Sequence, residues 1–234
     1  MKKGDLIWGG VLGAISLLLV IPASRAAFVS LTHSYFYPMS FLKFAVLATM
    51  GEMLAVRILQ GEWRKPKGLA AKAAAWGVFG LLIALMFGVF NGGAKACADA
   101  GLLPGGGDGI FGVFLIAFYT SAIMNVTFGP VMMSSHRVSD TWIDRRIEKA
   151  ADTSILAAIK AVDWVGFIRF AVLKTVPFFW IPAHTLVFLL PPEYRVLASA
   201  YLSIVLGAMM AYVKRQAQVT IMTATTDQAV APAK

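Results

Sequence analysis

Residues 163–195 of this chain read DWVGFIRFAVLKTVPFFWIPAHTLVFLLPPEYR. The stretch is long and apolar, yet it carries Arg169, Lys174 and His184 and is interrupted by Pro177 and Pro182. Charged side chains are costly in lipid and usually face protein or water, so such a stretch is a candidate functional site. Internal prolines free backbone carbonyls, which neighbouring helices or polar side chains must then satisfy. The sequence therefore predicts a kinked membrane helix that other helices surround.

The composition of the whole chain is that of a membrane protein. Of its 234 residues, 59% are hydrophobic and only 14% are charged, and the mean hydropathy is +0.73. A soluble domain carries about a quarter charged residues. The apolar residues occur in runs of about twenty, the length that crosses roughly 30 Å of hydrocarbon, whereas a barrel would show alternating runs of about ten. The prediction is an all-α, polytopic transmembrane bundle.

The apolar runs predict six spans and one surface helix within a single membrane domain that covers residues 1–215. The spans are expected at residues 6–29, 38–60, 69–90, 110–133, 163–190 and 196–213, the surface helix at 141–160, and a disordered polar tail at 216–234. The start of the chain also resembles a cleavable signal peptide. Its apolar run from Leu6 to Ala23 is longer than a usual signal core, which favours an uncleaved first span.

The predicted surface helix begins near Trp142. Apolar residues recur there at helical spacing, and Arg145, Arg146 and Lys149 occupy the other face. A basic amphipathic helix of this kind lies on a membrane surface, and a partner-binding role is the alternative. The expected partners are therefore membrane lipids, anionic at the inner face. The sequence does not decide whether the chain forms a homo-oligomer.

The distribution of basic residues predicts the orientation. Fourteen of the 21 Lys and Arg residues fall in segments on the side of the N-terminus, and three fall in the opposite loops. Such a bias favours both termini inside. Because the positive charge lies in short loops between apolar runs, it does not indicate a nucleic-acid partner. The Met-Lys-Lys start favours a bacterial inner membrane, with an organellar membrane as the alternative for a eukaryotic source.

A charged cluster inside the bundle is expected from the depths of three residues. Glu52 lies about 12 Å from the inner end of the second span, and Arg169 and Lys174 lie about 9 and 16 Å from the inner end of the fifth. We expect Glu52 to pair with one of these two cations. The pair would either clamp two helices together or line a polar cavity that passes a solute. His184 would either titrate and gate such a route, or simply bond a freed carbonyl or face the interface.

The end of the fifth span resembles a known family. Trp180 and Pro182 precede an apolar stretch that ends in a Pro191–Arg195 corner and continues into a long final helix. This pattern resembles the closing signature of the peroxisomal membrane protein family of about 22 kilodaltons and its mitochondrial inner-membrane (Mpv-type) relatives, an argument by family analogy. The aromatic-Pro segment at residues 35–38 and the helix from Trp142 also match, and the resemblance covers residues 34–216.

The resemblance implies a small membrane protein of organelle or membrane homeostasis, proposed to act as a channel and without enzyme activity. This chain departs from the family pattern at three points. Ile181 separates the tryptophan from the proline, Ala183 and Leu186 replace the family's polar pair, and two loops are long. A pore-lining role for the polar pair therefore has no counterpart here.

The sequence supports two candidate functions. The first is a channel-like or solute-permeation protein, and the second is a structural or assembly protein that uses its basic surface helix. An enzyme is not expected, because the sequence shows no Ser-His-Asp set, no His/Asp/Glu cluster with metal-ligand spacing and no carboxylate pair within a span. No cofactor and no metal site are expected. The single Cys97 excludes an intramolecular disulfide and a multi-cysteine metal site.

Overall fold

The computed structural model describes the backbone of residues 2–105, 107 and 109–230, and the side chains within these ranges except at 213, 214 and 216–230. The described residues form helices and no strand, which confirms the all-α prediction. The helices are α1 (Lys3–Val20), α2 (Pro22–Ser34), α3 (Phe36–Gln60), α4 (Leu69–Asp99), α5 (Ile110–Ile147), α6 (Ile155–Ala161), α7 (Trp164–Phe167), a π-helix (Ile168–Trp180), α8 (Ile181–Leu189) and α9 (Pro192–Val230).

Six of these helical segments are long and apolar enough to span a membrane: α1, α3, α4, α5, the continuous stretch Trp164–Leu189, and α9 as far as Tyr212. Many large apolar side chains on them point outward, including Val89, Phe114 and Leu173. In water such surfaces would be unfavourable, and in lipid they are expected. The chain is therefore an integral membrane protein.

The polar contacts define two ends of the bundle. At the first, here called the 61–68 end, Lys2 Nζ donates to the carbonyl of Gly61, and Lys72 Nζ lies 2.9 Å from Asp144 Oδ1. At the opposite end, Arg195 donates to the side chain of Asn91. Successive spans run between these ends in alternation, so α1 begins and the last span finishes at the 61–68 end.

The helix α3 is the centre of the packing. It makes its most extensive contacts with α9 and α4, and its Phe44, Leu47 and Ala48 belong to the buried core. Small residues allow close approach: Gly80 of α4 lies against the backbone of Ser40. Such close contacts between backbones are how membrane helices associate when apolar burial alone gives no advantage over lipid.

The structure corrects three expected boundaries. The first span ends at Val20, because Pro22 starts a separate helix. The fourth span does not end at residue 133 but continues to Ile147, since no glycine or proline follows Pro130 in that segment. The predicted surface helix at 141–160 is therefore divided. Its first part belongs to α5, the chain turns at Lys149 with a φ of 52°, and only α6 is separate.

The last two spans also differ in detail from the expectation. The prolines of the fifth span do not produce a simple kink; residues 168–180 form a π-helix that includes Pro177, and Pro182 stands in the first turn of α8. The predicted tail from residue 216 instead continues α9 to Val230, in a segment without glycine or proline. Residues 231–234 lie outside the described part.

Candidate functional site

The expected pairing of Glu52 with Arg169 or Lys174 is wrong. Both cations are exposed on the π-helix, which packs against α5, α7 and α8 and has no substantial contact with α3. The carboxylate of Glu52 instead accepts a 2.6 Å hydrogen bond from the indole nitrogen of Trp76 on α4. The depths of the charges were comparable, but the second and fifth spans are not neighbours.

Three titratable side chains meet in the half of the bundle near the 61–68 end. Glu52 comes from α3, and His136 and Asp140 come from α5. One potential ligand atom of each lies within 4.8 Å of the other two. We call these three residues the histidine–carboxylate cluster.

Two atoms of the histidine–carboxylate cluster are unpartnered. His136 Nε2 and Asp140 Oδ1 lie 3.8 Å apart, which is too far for a hydrogen bond. Both atoms are shielded from solvent and have no hydrogen-bond partner. Buried polar atoms are nearly always satisfied in proteins, so two such atoms facing one another indicate a place for a proton, a water or an ion.

The local structure explains why these groups converge. His136 and Asp140 are four residues apart on α5, so both project from one face of the helix. Trp76 of α4 fills the space beside them, with its ring centroid 3.8 Å from that of His136, and Phe79 contacts the same imidazole edge-to-face at 5.4 Å. Aromatic walls on one side and a carboxylate on the other hold the imidazole in place.

A charge pair lies beside the cluster. Lys72 of α4 interacts electrostatically with Glu52 and Asp140, but its ammonium forms its ion pair with Asp144, one turn beyond Asp140 on α5. The Asp144 side chain is 46% exposed, whereas those of His136 and Asp140 are 16% and 19% exposed. The pair thus lies between the cluster and the solvent at the 61–68 end.

A second buried polar group lies further along α5. His184 Nδ1 is 3.1 Å from Asn125 Oδ1, and its Nε2 is 3.1 Å from the Ser199 hydroxyl on α9. The hydroxyl of Ser121 donates to the carbonyl of Ile181 at 2.7 Å. One expectation was that His184 bonds a freed carbonyl or faces the interface, and the structure shows neither. His184 joins three helices through side chains.

The other residues of the predicted kinked-helix signature have structural contacts. Trp180 stacks on His184 with ring centroids 5.1 Å apart. Arg195 donates from Nε to the carbonyl of Leu190 at 2.9 Å, and so closes the corner after α8. Pro177, Pro182 and Pro191 are exposed at the surface of the bundle.

Two cavities among the described residues lie at the edges of the bundle, and neither is lined by Glu52. The larger, of about 560 Å³, lies between the end of α5 and α6 and includes Ser134, Ser139, Trp142 and Trp164. The smaller, of about 250 Å³, lies between α1 and α3. From the sequence, a cavity at Glu52 would have indicated permeation and a satisfied ion pair would have indicated a scaffold. The structure shows a third situation, an unsatisfied cluster.

The sequence reasoning missed His136 and Asp140. Both residues were placed outside the membrane, between the predicted fourth span and the surface helix. A histidine and an aspartate four residues apart on a helical segment were the available signal. The third member, Glu52, is more than eighty residues away and comes near only through the packing of α3, α4 and α5.

Comparison of the chain with protein-family models, with curated proteins and with solved structures gave no match. The resemblance to the peroxisomal membrane protein family therefore stays a prediction.

Proposed function

We propose that this integral membrane protein passes a small cation across its membrane, with the histidine–carboxylate cluster as the binding position on the route. One observation carries the proposal: two helices bring Glu52, His136 and Asp140 within 4.8 Å of one another, with two buried atoms left unpartnered. Ionisable groups within spans are costly, and their usual role is on an ion or proton pathway.

The second polar group supports a route rather than an isolated site. Asn125 precedes His136 by eleven residues on α5, about 16 Å along the helix axis. Its hydrogen-bonded neighbours His184 and Ser199 extend polar contacts to α8 and α9. A cation that leaves the cluster would meet these groups next on the way to the opposite end. The family resemblance of residues 180–195, which implies channel activity, agrees with this role.

The proposal includes no enzymatic reaction. It places the protein in a bacterial inner membrane with both termini in the cytoplasm, so that the 61–68 end and the cluster face the cytoplasm. The basic residues concentrated at this end support that orientation through the positive-inside tendency. Anionic lipids are the proposed partners of the same residues.

The test is cation flux into liposomes that contain the purified protein. Internal dyes would report protons, potassium and manganese separately, over a range of voltages. We expect flux from the wild type and its loss in Glu52→Gln and Asp140→Asn. Glu148→Gln is the matched control, because Glu148 is exposed just after α5. No flux of any of these ions from folded wild-type protein would overturn the proposal.

A structural role is the second candidate, and the larger cavity favours it. Serine and tryptophan side chains line this cavity together with Val138, Ile155 and Ile159, and two arginines, Arg145 and Arg146, stand on the helix beside it. Arg146 stacks on the Trp142 ring, which lines the cavity, at 4.2 Å. A lipid headgroup would fit such a place. Retention of anionic phospholipid that depends on Arg145 and Arg146, together with absent flux, would support an assembly protein instead.

A further inference from the structure

We propose that Glu52, His136 and Asp140 bind one divalent transition-metal ion, an inference that rests on the proposed function and names the class of cation. Glu52 lies on α3 and His136 and Asp140 lie on α5; both spans pack against α4, whose Trp76 contacts Glu52 and His136. The site thus has ligands from separate helices, as metal sites in helical bundles do.

The distances fit a site that needs only a small contraction. Ligands about 2.1 Å from a metal in tetrahedral geometry are about 3.4 Å from one another. In the structure His136 Nε2 and Asp140 Oδ1 are 3.8 Å apart, and the three ligand atoms are within 4.8 Å. Rotation of side chains closes a gap of this size without movement of the helices. The two unpartnered atoms would then both be satisfied by the ion.

The donor set selects the class of metal. One imidazole nitrogen with carboxylate oxygens suits manganese, iron, cobalt and zinc in their divalent states. Copper(I) favours thiolate or thioether ligands, and magnesium and calcium favour sites made only of oxygen. Three protein ligands also leave coordination positions open, which an ion that must be bound and released requires.

The charge of the site fits a divalent ion. Glu52 and Asp140 contribute two negative charges when ionised, and a metal-bound histidine is neutral. Lys72 and Arg137 both interact electrostatically with the cluster, and Lys72 has its own partner in Asp144 at 2.9 Å. A divalent ion therefore neutralises the cluster without displacing that pair.

The surroundings supply the support that metal ligands need. The indole of Trp76 donates to one carboxylate oxygen of Glu52 and lies against the His136 ring. One side chain thereby orients two ligands. Outer contacts of this kind fix ligand geometry and reduce the cost of ordering the site when the ion binds.

The experiment is equilibrium binding of cobalt(II) to the whole protein in detergent, stripped with a chelator and carrying no polyhistidine tag. We expect one cobalt ion per chain, with visible absorption bands of nitrogen and oxygen ligation. A thiolate charge-transfer band would indicate Cys97 instead and would contradict the proposal. Zinc should compete with cobalt at comparable concentration, manganese should displace it only in large excess, and magnesium should not displace it.

Variants locate the site. His136→Gln, Glu52→Gln and Asp140→Asn should each weaken binding by at least about tenfold. Glu148→Gln is the matched control, because Glu148 is exposed just after α5; its cobalt affinity should stay within about threefold of the wild type. Gel filtration and circular dichroism select the variants that fold. Wild-type protein without bound cobalt, or equal affinity in all three folded ligand variants, would overturn the inference.

The permeation proposal and the metal-site proposal can be rejected independently of one another. Cobalt binding at these residues without cation flux in liposomes would retain the metal site and reject permeation. Proton or potassium flux that depends on Glu52 and Asp140, without metal binding, would retain permeation and reject the metal ion.

Discussion

The indole nitrogen of Trp76 lies 2.6 Å from the carboxylate of Glu52, and the same ring lies against the imidazole of His136. One residue of α4 thus joins a carboxylate on α3 to a histidine on α5. The arrangement separates two roles within a single cluster. Trp76 positions the groups, and the unpartnered atoms of His136 and Asp140 remain free to bind a ligand.

Trp76→Phe tests the positioning role, because it keeps an aromatic ring and removes the donor. The buried carboxylate of Glu52 then loses its hydrogen bond, and we expect a loss of about 1–3 kcal/mol in the free energy of unfolding. The measurement is unfolding in detergent. Trp164→Phe is the control, since its indole donates to the Ile159 carbonyl at an exposed position. An equal effect in both variants would contradict the assigned role.

The close contact of α4 with α3 depends on Gly80. A methyl group there would lie 2.7 Å from both the Ser40 carbonyl oxygen and Phe44 Cβ, so the two helices would have to separate. We expect Gly80→Ala to lower the free energy of unfolding by about 1–3 kcal/mol.

Gly88 provides the matched control on the same helix. Nothing lies within 4 Å of a methyl group at that position. Alanine favours helix over glycine by about 1 kcal/mol, so Gly88→Ala should leave stability unchanged or slightly raised. Thermal unfolding of the two variants under one condition decides the matter, and similar losses in both would contradict the close approach at Gly80.

The sequence was sufficient for the spans because their signal is local. Length and hydropathy decide whether a segment can cross a bilayer, and all six expected spans have helical counterparts. The end of α5 was missed because polarity was taken as the end of the helix. Residues 134–147 are polar but contain no helix breaker, and α4 covers their buried face through Trp76 and Lys72.

The site was only partly accessible from the sequence because its geometry is not local. The depth of Glu52 follows from its position along α3, but its partner was expected to be Arg169 or Lys174 and is the indole of Trp76. Which helix supplies that partner depends on which spans are neighbours, and no local pattern gives that information. The fifth span was expected beside α3, whereas α4 and α9 occupy that place.

A coupling between His184 and Asn125 is expected from their 3.1 Å contact. We propose the double-mutant cycle of His184→Leu and Asn125→Leu, measured by unfolding in detergent. Polar contacts between membrane helices couple by about 0.6 kcal/mol on average and up to about 1.7 kcal/mol, and this buried pair should lie in the upper half of that range.

A second double-mutant cycle serves as the control, and it pairs His184 with Thr127, a residue outside the network, instead of with Asn125. Thr127 is exposed on the same helix, and its hydroxyl bonds only to its own helix at Ile123. The effects of His184→Leu and Thr127→Val should add to within about 0.5 kcal/mol. Additivity in the His184–Asn125 cycle as well would mean that the contact contributes nothing to stability.

Lys43 is a buried cation without a carboxylate partner among the described residues. Its ammonium donates to the Thr32 hydroxyl at 3.0 Å and lies 4.6 Å from the centre of the Phe28 ring. A charge at the centre of a span costs about 2.5–3.5 kcal/mol, and neither contact supplies an opposite charge. Lys43→Met keeps the length of the side chain and removes the charge, so it should raise the unfolding temperature or leave it unchanged.

Lys95→Met, at an exposed position on α4, is the control and should have no effect. A lower unfolding temperature for Lys43→Met alone would show that the ammonium has a stabilising partner beyond Thr32 and Phe28, such as a bound anion.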